Sequence, residues 1–92
     1  MSLSFLWDPN KARSNLGKHD VSFTEAASVF ADPLSLTMPD PDHSESDVRW
    51  VMMGTSNRGR LLVVVHTDIG DNIRIISARV ATRHETRWYE ER

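Results

Sequence analysis

Cysteine is absent from the 92-residue sequence. That excludes a disulfide framework and a thiolate nucleophile. No apolar run reaches the roughly 18 residues that a membrane-spanning helix needs. The N-terminus shows no basic stretch followed by an apolar one, so no secretory signal is expected. Together these absences point to a cytoplasmic protein without a membrane partner. Neither Gly-x-Ser-x-Gly nor a Gly-rich phosphate loop occurs, which argues against an ordinary serine hydrolase or an NTPase. The length suffices for one domain and not for two, so residues 1–92 are read as a single domain. A chain this short buries only about 60% of its unfolded surface, so its core is thin.

What is present is unevenly distributed. The net charge is −2, yet residues 1–48 carry three Lys/Arg against eight Asp/Glu, and residues 49–92 carry eight Arg against five Asp/Glu. The second half has no Lys. A guanidinium presents a planar fork that matches phosphate oxygens in pairs. The split permits an anionic partner on the C-terminal half, although a surface that simply carries Arg would look the same.

Local signals order the chain. Ser4 to Trp7 is a short apolar run that reads as an edge strand. Asp8-Pro9 opens a helix, because Asp is a good N-cap and Pro is pre-organised for the first helical position. This helix is expected to run to about Leu16 and to end at Gly17. A second helix starts at Val21-Ser22, where Ser22 and Glu25 form a capping box and Val21 can staple to Ala26. Phe23, Ala26, Ala27 and Phe30 make its buried stripe, and Asp32-Pro33 ends it. Leu34 to Met38 reads as a strand, followed by an acidic stretch from Pro39 to Asp47. Three β-rich runs, Trp50–Met53, Leu61–Val65 and Ile73–Ile76, are joined by short Gly-containing connections and should be antiparallel neighbours. Thr82 and Glu85 form another capping box, opening a last helix with Trp88 and Tyr89. The order β-α-α-β-β-β-β-α predicts an α+β fold, two N-terminal helices and one C-terminal helix packed on an antiparallel sheet.

Asp40, Asp42, His43, Glu45 and Asp47 crowd together, but a calcium loop needs Gly at its sixth position and Glu at its twelfth. Counted from Asp40, those places hold Glu45 and Val51. His19 and His66 have no ligand spacing with His43. No metal and no other cofactor is expected, and the stretch reads as an exposed acidic loop.

The remaining Arg, Lys, His, Glu and Tyr side chains suffice to cleave RNA without a metal. The ribose 2′-hydroxyl supplies the nucleophile. The protein then needs a base, cations for the phosphorane and an acid for the leaving 5′-oxygen. His19 or a carboxylate could be the base. Arg49, Arg74 and Arg79 could stabilise the phosphorane. Lys18, His19 or Tyr89 could be the acid. Structural readings compete: Glu85 caps a helix, and Tyr89 and Trp88 could simply pack the last helix. Strict alternation puts Arg74 and Arg79 on opposite faces of a strand, and only a bulge or the strand end re-aims one of them.

The chain resembles the BrnT family of type II toxins over nearly its whole length. The matching pieces are Trp7-Asp8-Pro9-x-Lys11, Asn15-x-x-Lys18-His19, Val21-Ser22-Phe23-x-Glu25-Ala26, Val29-Phe30-x-Asp32-Pro33, the Asp-rich turn ending at Arg49, Gly54, Arg60-Leu61-Leu62-Val63-Val64, Ile73 to Arg79, and Glu85-x-x-x-Tyr89-Glu90. The string from Ile73 to Arg79 is the most specific. Two positions depart from the family pattern: Val48 replaces an acidic residue, and Thr86 replaces an Arg. The resemblance implies a RelE-like ribonuclease fold, mRNA cleavage that stops translation, and neutralisation by a BrnA-type ribbon-helix-helix antitoxin. Operator DNA would be contacted only through that antitoxin. Carried over by position, Lys18, His19, Arg49, Arg74, Arg79, Glu85 and Tyr89 are the candidate site. The alternative is a decayed toxin that binds antitoxin or RNA without catalysis.

Overall fold

The structure, a computed structural model, describes residues 3–41 and 48–92. Its elements are β1 (Ser4–Leu6), α1 (Pro9–His19), α2 (Phe23–Ser28) continued by a 3-10 turn (Val29–Ala31), β2 (Leu36–Pro39), β3 (Trp50–Thr55), β4 (Leu61–Ile69), β5 (Asn72–Val80) and α3 (Arg83–Glu90). The order is the expected one, and the class is α+β. The strands form one sheet in the order β1-β5-β4-β3-β2. From β2 to β5 all neighbours are antiparallel, whereas β1 joins β5 in parallel, so the sheet is mixed rather than purely antiparallel. β1 is an edge strand, as its sequence suggested.

Local chemistry sets the helix starts. The Asp8 carboxylate accepts from the Asn10 N–H, and Ser22 Oγ accepts from the Glu25 N–H. The Ser22–Glu25 capping box is only half made, because the Glu25 side chain turns away to other partners. α1 does not end at Gly17. It continues to His19 and stops where Asp20 takes a left-handed backbone, φ 56°, and returns its N–H to the Leu16 carbonyl. A glycine inside a helix costs at most about 1 kcal/mol relative to alanine, too little to end it against tertiary contacts.

Those contacts form the core on one face of the sheet. Val21, Phe23, Ala26 and Val29 from the helical layer meet Met52, Leu62, Val64, Ile75 and Ala78 from the strands. The two sides of each strand therefore diverge: Met52 and Val64 face α1 and α2, while their neighbours Met53 and Val63 face the other way. There, α3 borders the opposite face.

Candidate functional site

The uncovered face of the sheet is shaped by one irregularity. Val65 pairs with Ser77 and His66 pairs with Ile75, so Ile76 is an extra residue in β5. Such a bulge shifts the phase of side chains by one place. Ile75 and Ala78 thereby both enter the helix-covered core. Their neighbours Arg74 and Arg79 consequently share the other face. Strict alternation, which would separate them, is overturned by the bulge.

Arg79 and Glu85 form a two-pronged ion pair, with Nη1 donating to Oε1 at 2.7 Å and Nη2 to Oε2 at 2.9 Å. Glu85 is aimed by its own helix start: its Oε1 accepts from the Thr82 N–H at 2.8 Å, and Thr82 Oγ1 accepts from the Glu85 N–H at 3.1 Å. This capping box is complete. The Arg79 hydrogen bonds, aided by the Thr82 N–H and opposed by burial, hold the Glu85 carboxyl down to about 2. Arg79 is correspondingly raised above its ordinary value by Glu85. At neutral pH Glu85 is therefore an ionised partner that positions Arg79, unsuited to donate a proton. The pair borders a groove of about 300 Å³ whose walls include Met38, Met53, Val63, His84 and Trp88.

Arg49 and Arg74 lie elsewhere on the sheet. They line a recess of about 270 Å³ with Lys11, Thr67 and Asp68. Lys18 and His19 are exposed on the last turn of α1 and line neither recess. Tyr89 is turned to the loop before β2: its hydroxyl donates to the Leu34 carbonyl at 2.9 Å, with Asp32 Oδ2 at 3.5 Å, and the Arg92 guanidinium covers its ring at 4.1 Å. The seven residues singled out in the sequence thus fall into four places. Arg79 is paired with Glu85, and Arg49 shares a recess with Arg74.

His84, Trp88 and Lys11 line these recesses and are not among the sequence candidates, although Trp88 was read as packing the last helix and Lys11 as part of a family-matched stretch. His84 and Trp88 are four apart on α3, a spacing that stacks side chains on one helix face. That signal was available from the second capping box onward. For Lys11 the family match gave a position but no role, because only the folded chain brings it beside Arg49 and Arg74.

Other matched residues are architectural. β1 covers β5 only at Asn72, Ile73 and Arg74. Beyond that point the Asn15 side chain takes over as a substitute strand: Nδ2 donates to the Ala78 carbonyl at 2.8 Å, and Oδ1 accepts from the Ala78 N–H at 3.1 Å. Glu25, only 4% exposed, accepts from Arg60 Nε at 2.9 Å and from Ser56 Oγ at 2.7 Å. Arg60 is the main cause that lowers its carboxyl below the ordinary 4.5, against the upward push of burial. Asp32 binds the Thr55 and Leu34 N–H groups, and these bonds lower it likewise.

Among the described residues no group of three or more His, Asp or Glu side chains is arranged to hold a metal. Asp42, His43, Glu45 and Asp47 of the acidic stretch lie outside the described residues. No helix among the described residues is long and apolar enough to cross a membrane.

Comparison with known proteins agrees with this architecture. The chain is similar in fold to the crystal structure of the Brucella abortus ribonuclease toxin BrnT, with a TM-score of 0.65 and 21% identity, over 89% of this chain and 100% of that one. No curated protein matches it. Residues 7–85 match the family model described as the ribonuclease toxin BrnT of type II toxin–antitoxin systems. That span includes the bulged strand, both arginine pairs and the Asn15, Glu25 and Asp32 braces, and the chain belongs to the BrnT family.

Proposed function

We propose that this protein is a metal-independent endoribonuclease that cuts mRNA and so arrests translation. Its neutralising partner is a BrnA-type ribbon-helix-helix antitoxin, which also makes the operator contact. The observation that carries this reading is the placement of Arg79, held by Glu85, on the sheet face turned away from α1 and α2, in a groove that it shares with His84 and Trp88. Phosphoryl chemistry of this kind is driven mainly by cations fixed where charge develops.

In the proposed step the ribose 2′-oxygen attacks the adjacent phosphorus and forms the new P–O bond. The P–O5′ bond breaks, and the 2′-hydroxyl proton passes to a base. A second proton reaches the leaving O5′ from an acid, leaving a 2′,3′-cyclic phosphate and a 5′-hydroxyl. The two bonds from Arg79 to Glu85 leave other N–H groups of its guanidinium available to the phosphorane. His84 shares the groove with Arg79 and can carry a proton to or from the reacting oxygens. Trp88, 47% exposed, offers a face on which a base can stack.

The test is cleavage of a defined mRNA by purified protein with EDTA present, with mass analysis of the ends. Cleavage with cyclic-phosphate or 3′-phosphate ends is expected. Loss on chelation, restored by a divalent ion, overturns the metal-free mechanism. The engagement of Arg79 by Glu85 and of Tyr89 by Leu34 favours a second reading, a non-catalytic module that binds antitoxin or RNA. Unimpaired growth of a bacterium at high expression, with no RNA cut in vitro, would establish that reading.

A further inference from the structure

The Arg79 groove does not use Lys11, Arg49 or Arg74, although these three come from separate elements to line one recess. Lys11 lies in the first turn of α1, Arg49 immediately precedes β3, and Arg74 lies within β5. The strand register explains the convergence. Trp50 pairs with His66 and Thr67 pairs with Arg74, so Arg49, Thr67 and Arg74 form a row across the sheet. Adjacent strands are about 4.8 Å apart, which leaves the two arginines near enough for their side chains to reach a common ligand. Thr67 Oγ1 donates to the Val48 carbonyl at 2.9 Å and so pins the segment that carries Arg49.

Among the described residues, positive charge outweighs negative in the lining of this recess. Among the described residues the ion pairs are Arg58–Glu25, Arg60–Glu25 and Arg79–Glu85. Lys11, Arg49 and Arg74 are in none of them, and among the described residues that line the recess Asp68 is the one carboxylate. In addition, Arg49 Nε is buried without a hydrogen-bond partner. A buried donor left unsatisfied carries a desolvation penalty that an arriving acceptor relieves. Three cations from three elements, with an orphaned guanidinium N–H, call for an oxyanion with several acceptor oxygens. Four rungs of β5 separate Arg74 from Arg79, roughly 13 Å along the strand. With Arg79 held by Glu85, a single phosphate does not bridge both places.

We propose that Lys11, Arg49 and Arg74 form a binding site for a backbone phosphate of RNA, distinct from the phosphate that reacts at Arg79. It rests on the ribonuclease reading above and adds an anchoring site to it. An anchor on a neighbouring phosphate sets where along the strand the reacting bond falls. It contributes binding that is shared by substrate and transition state, so its loss appears in KM rather than in kcat.

The experiment uses the full chain and two probes, inorganic phosphate and a single-stranded oligonucleotide with 2′-deoxyribose at every position, which cannot be cut. Binding of each is followed by NMR shifts and by the salt dependence of Kd, for the parent, Lys11→Gln, Arg74→Gln and the double variant. Lys11 is exposed, so its replacement leaves the fold intact. Phosphate should shift the resonances around Arg49, Thr67 and Arg74. Each lost cation should reduce the slope of log Kd against log salt by about 0.7, the single-strand value. On cleavable RNA, Lys11→Gln should raise KM about tenfold and leave kcat within a factor of two. Folded variants that bind the oligonucleotide with parental affinity and slope overturn the site, as do phosphate shifts confined to other regions. Loss of antitoxin binding with oligonucleotide binding unchanged overturns it too, by assigning the recess to the protein partner. Failure of the two readings is distinguishable. Deoxy-oligonucleotide binding that depends on Lys11 and Arg74, in a chain that cuts no RNA, sinks the nuclease and keeps the site. Cleavage indifferent to both residues does the reverse.

Discussion

Ile75 and Ala78 lie on the same face of β5 although three residues separate them, because Ile76 is inserted opposite the Val65–His66 step. Both are buried against the helical layer, at 1% and 0% exposure. The consequence for function falls on their neighbours: Arg74 and Arg79 share the open face only through this one extra residue. A bulge of this kind is a device for aiming side chains as much as a local defect in pairing.

The Arg79–Glu85 pair supplies the first prediction. Arg79→Ala should lower RNA cleavage by about 10²–10³, by analogy with removal of an oxyanion-hole donor, while the protein stays folded. Arg79→Lys should recover only part, since a point charge replaces a planar fork. Because Glu85 is held at about 2, the pH–rate profile should show no acid limb from Glu85 between about pH 4 and 7. Its contribution to stability is complete above 4.5, the ordinary value, and is lost as pH falls through about 2. Parallel melting curves and cleavage rates decide the role. A folded Arg79→Ala that cuts at the parental rate removes this residue from the reaction.

Glu25 ties the start of α2 to the β3–β4 turn through Ser56 and Arg60. Glu25→Gln should destabilise by about 1–3 kcal/mol, because a buried charged acceptor is replaced by a neutral one facing the same donors. Arg60 lowers the Glu25 carboxyl, so the stability that this group contributes is present above 4.5 and declines as pH falls through the lower folded value. Denaturant titrations at neutral and acidic pH should therefore show the gap between parent and variant narrowing in acid. A gap that widens as pH falls would contradict the assignment.

His66 is the buried group with the opposite problem. Both ring nitrogens are buried without a hydrogen bond, and the ring packs edge-on against Phe30 at 4.9 Å. Burial lowers its pKa below 6.5, with Asp68 pushing weakly the other way. The unfolded chain then takes up a proton before the folded one does. Stability is complete above 6.5 and falls as pH drops toward the lower folded value. His66→Leu should flatten the change in melting temperature between about pH 7.5 and 5.5. An equally steep fall in the variant would assign the acid sensitivity to other groups.

Gly54 is where β3 passes closest to the 3-10 turn. A methyl group there would sit 2.8 Å from Val29 Cγ1 and 2.9 Å from Ser35 Cβ. Val29 is fully buried and has no room to yield. Gly54→Ala should cost about 1–3 kcal/mol, the usual range for overpacking a filled core. A melting temperature equal to the parent's would show that the layer relaxes.

Much of the family match turns out to describe architecture rather than chemistry. Asn15, Glu25, Asp32 and Gly54 brace the sheet to the helices, and this could not be read from their types alone. Asn and Glu hydrogen-bond locally as readily as at long range. The Ser22–Glu25 spacing accordingly suggested a capping box, while the folded chain offers Glu25 an arginine 35 residues away. His84 was legible from its helical phase with Trp88, whereas the place of Lys11 beside Arg49 and Arg74 was not.

Local sequence dictates the helix starts at Asp8, Ser22 and Thr82, the element order, and the positions of the turns. These depend on groups within about four residues of one another, so neighbouring side chains suffice to decide them. Tertiary structure alone decided where α1 ends, which face carries Arg79, and which arginines keep a partner. Each of those depends on groups beyond the reach of a single helical turn: Arg60 on the Asp20 carbonyl 40 residues away, β4 on the register of β5, and Glu85 on Arg79 across the strand-to-helix turn. A register shift of one residue moves a side chain through the full thickness of a sheet, and no local propensity encodes that shift.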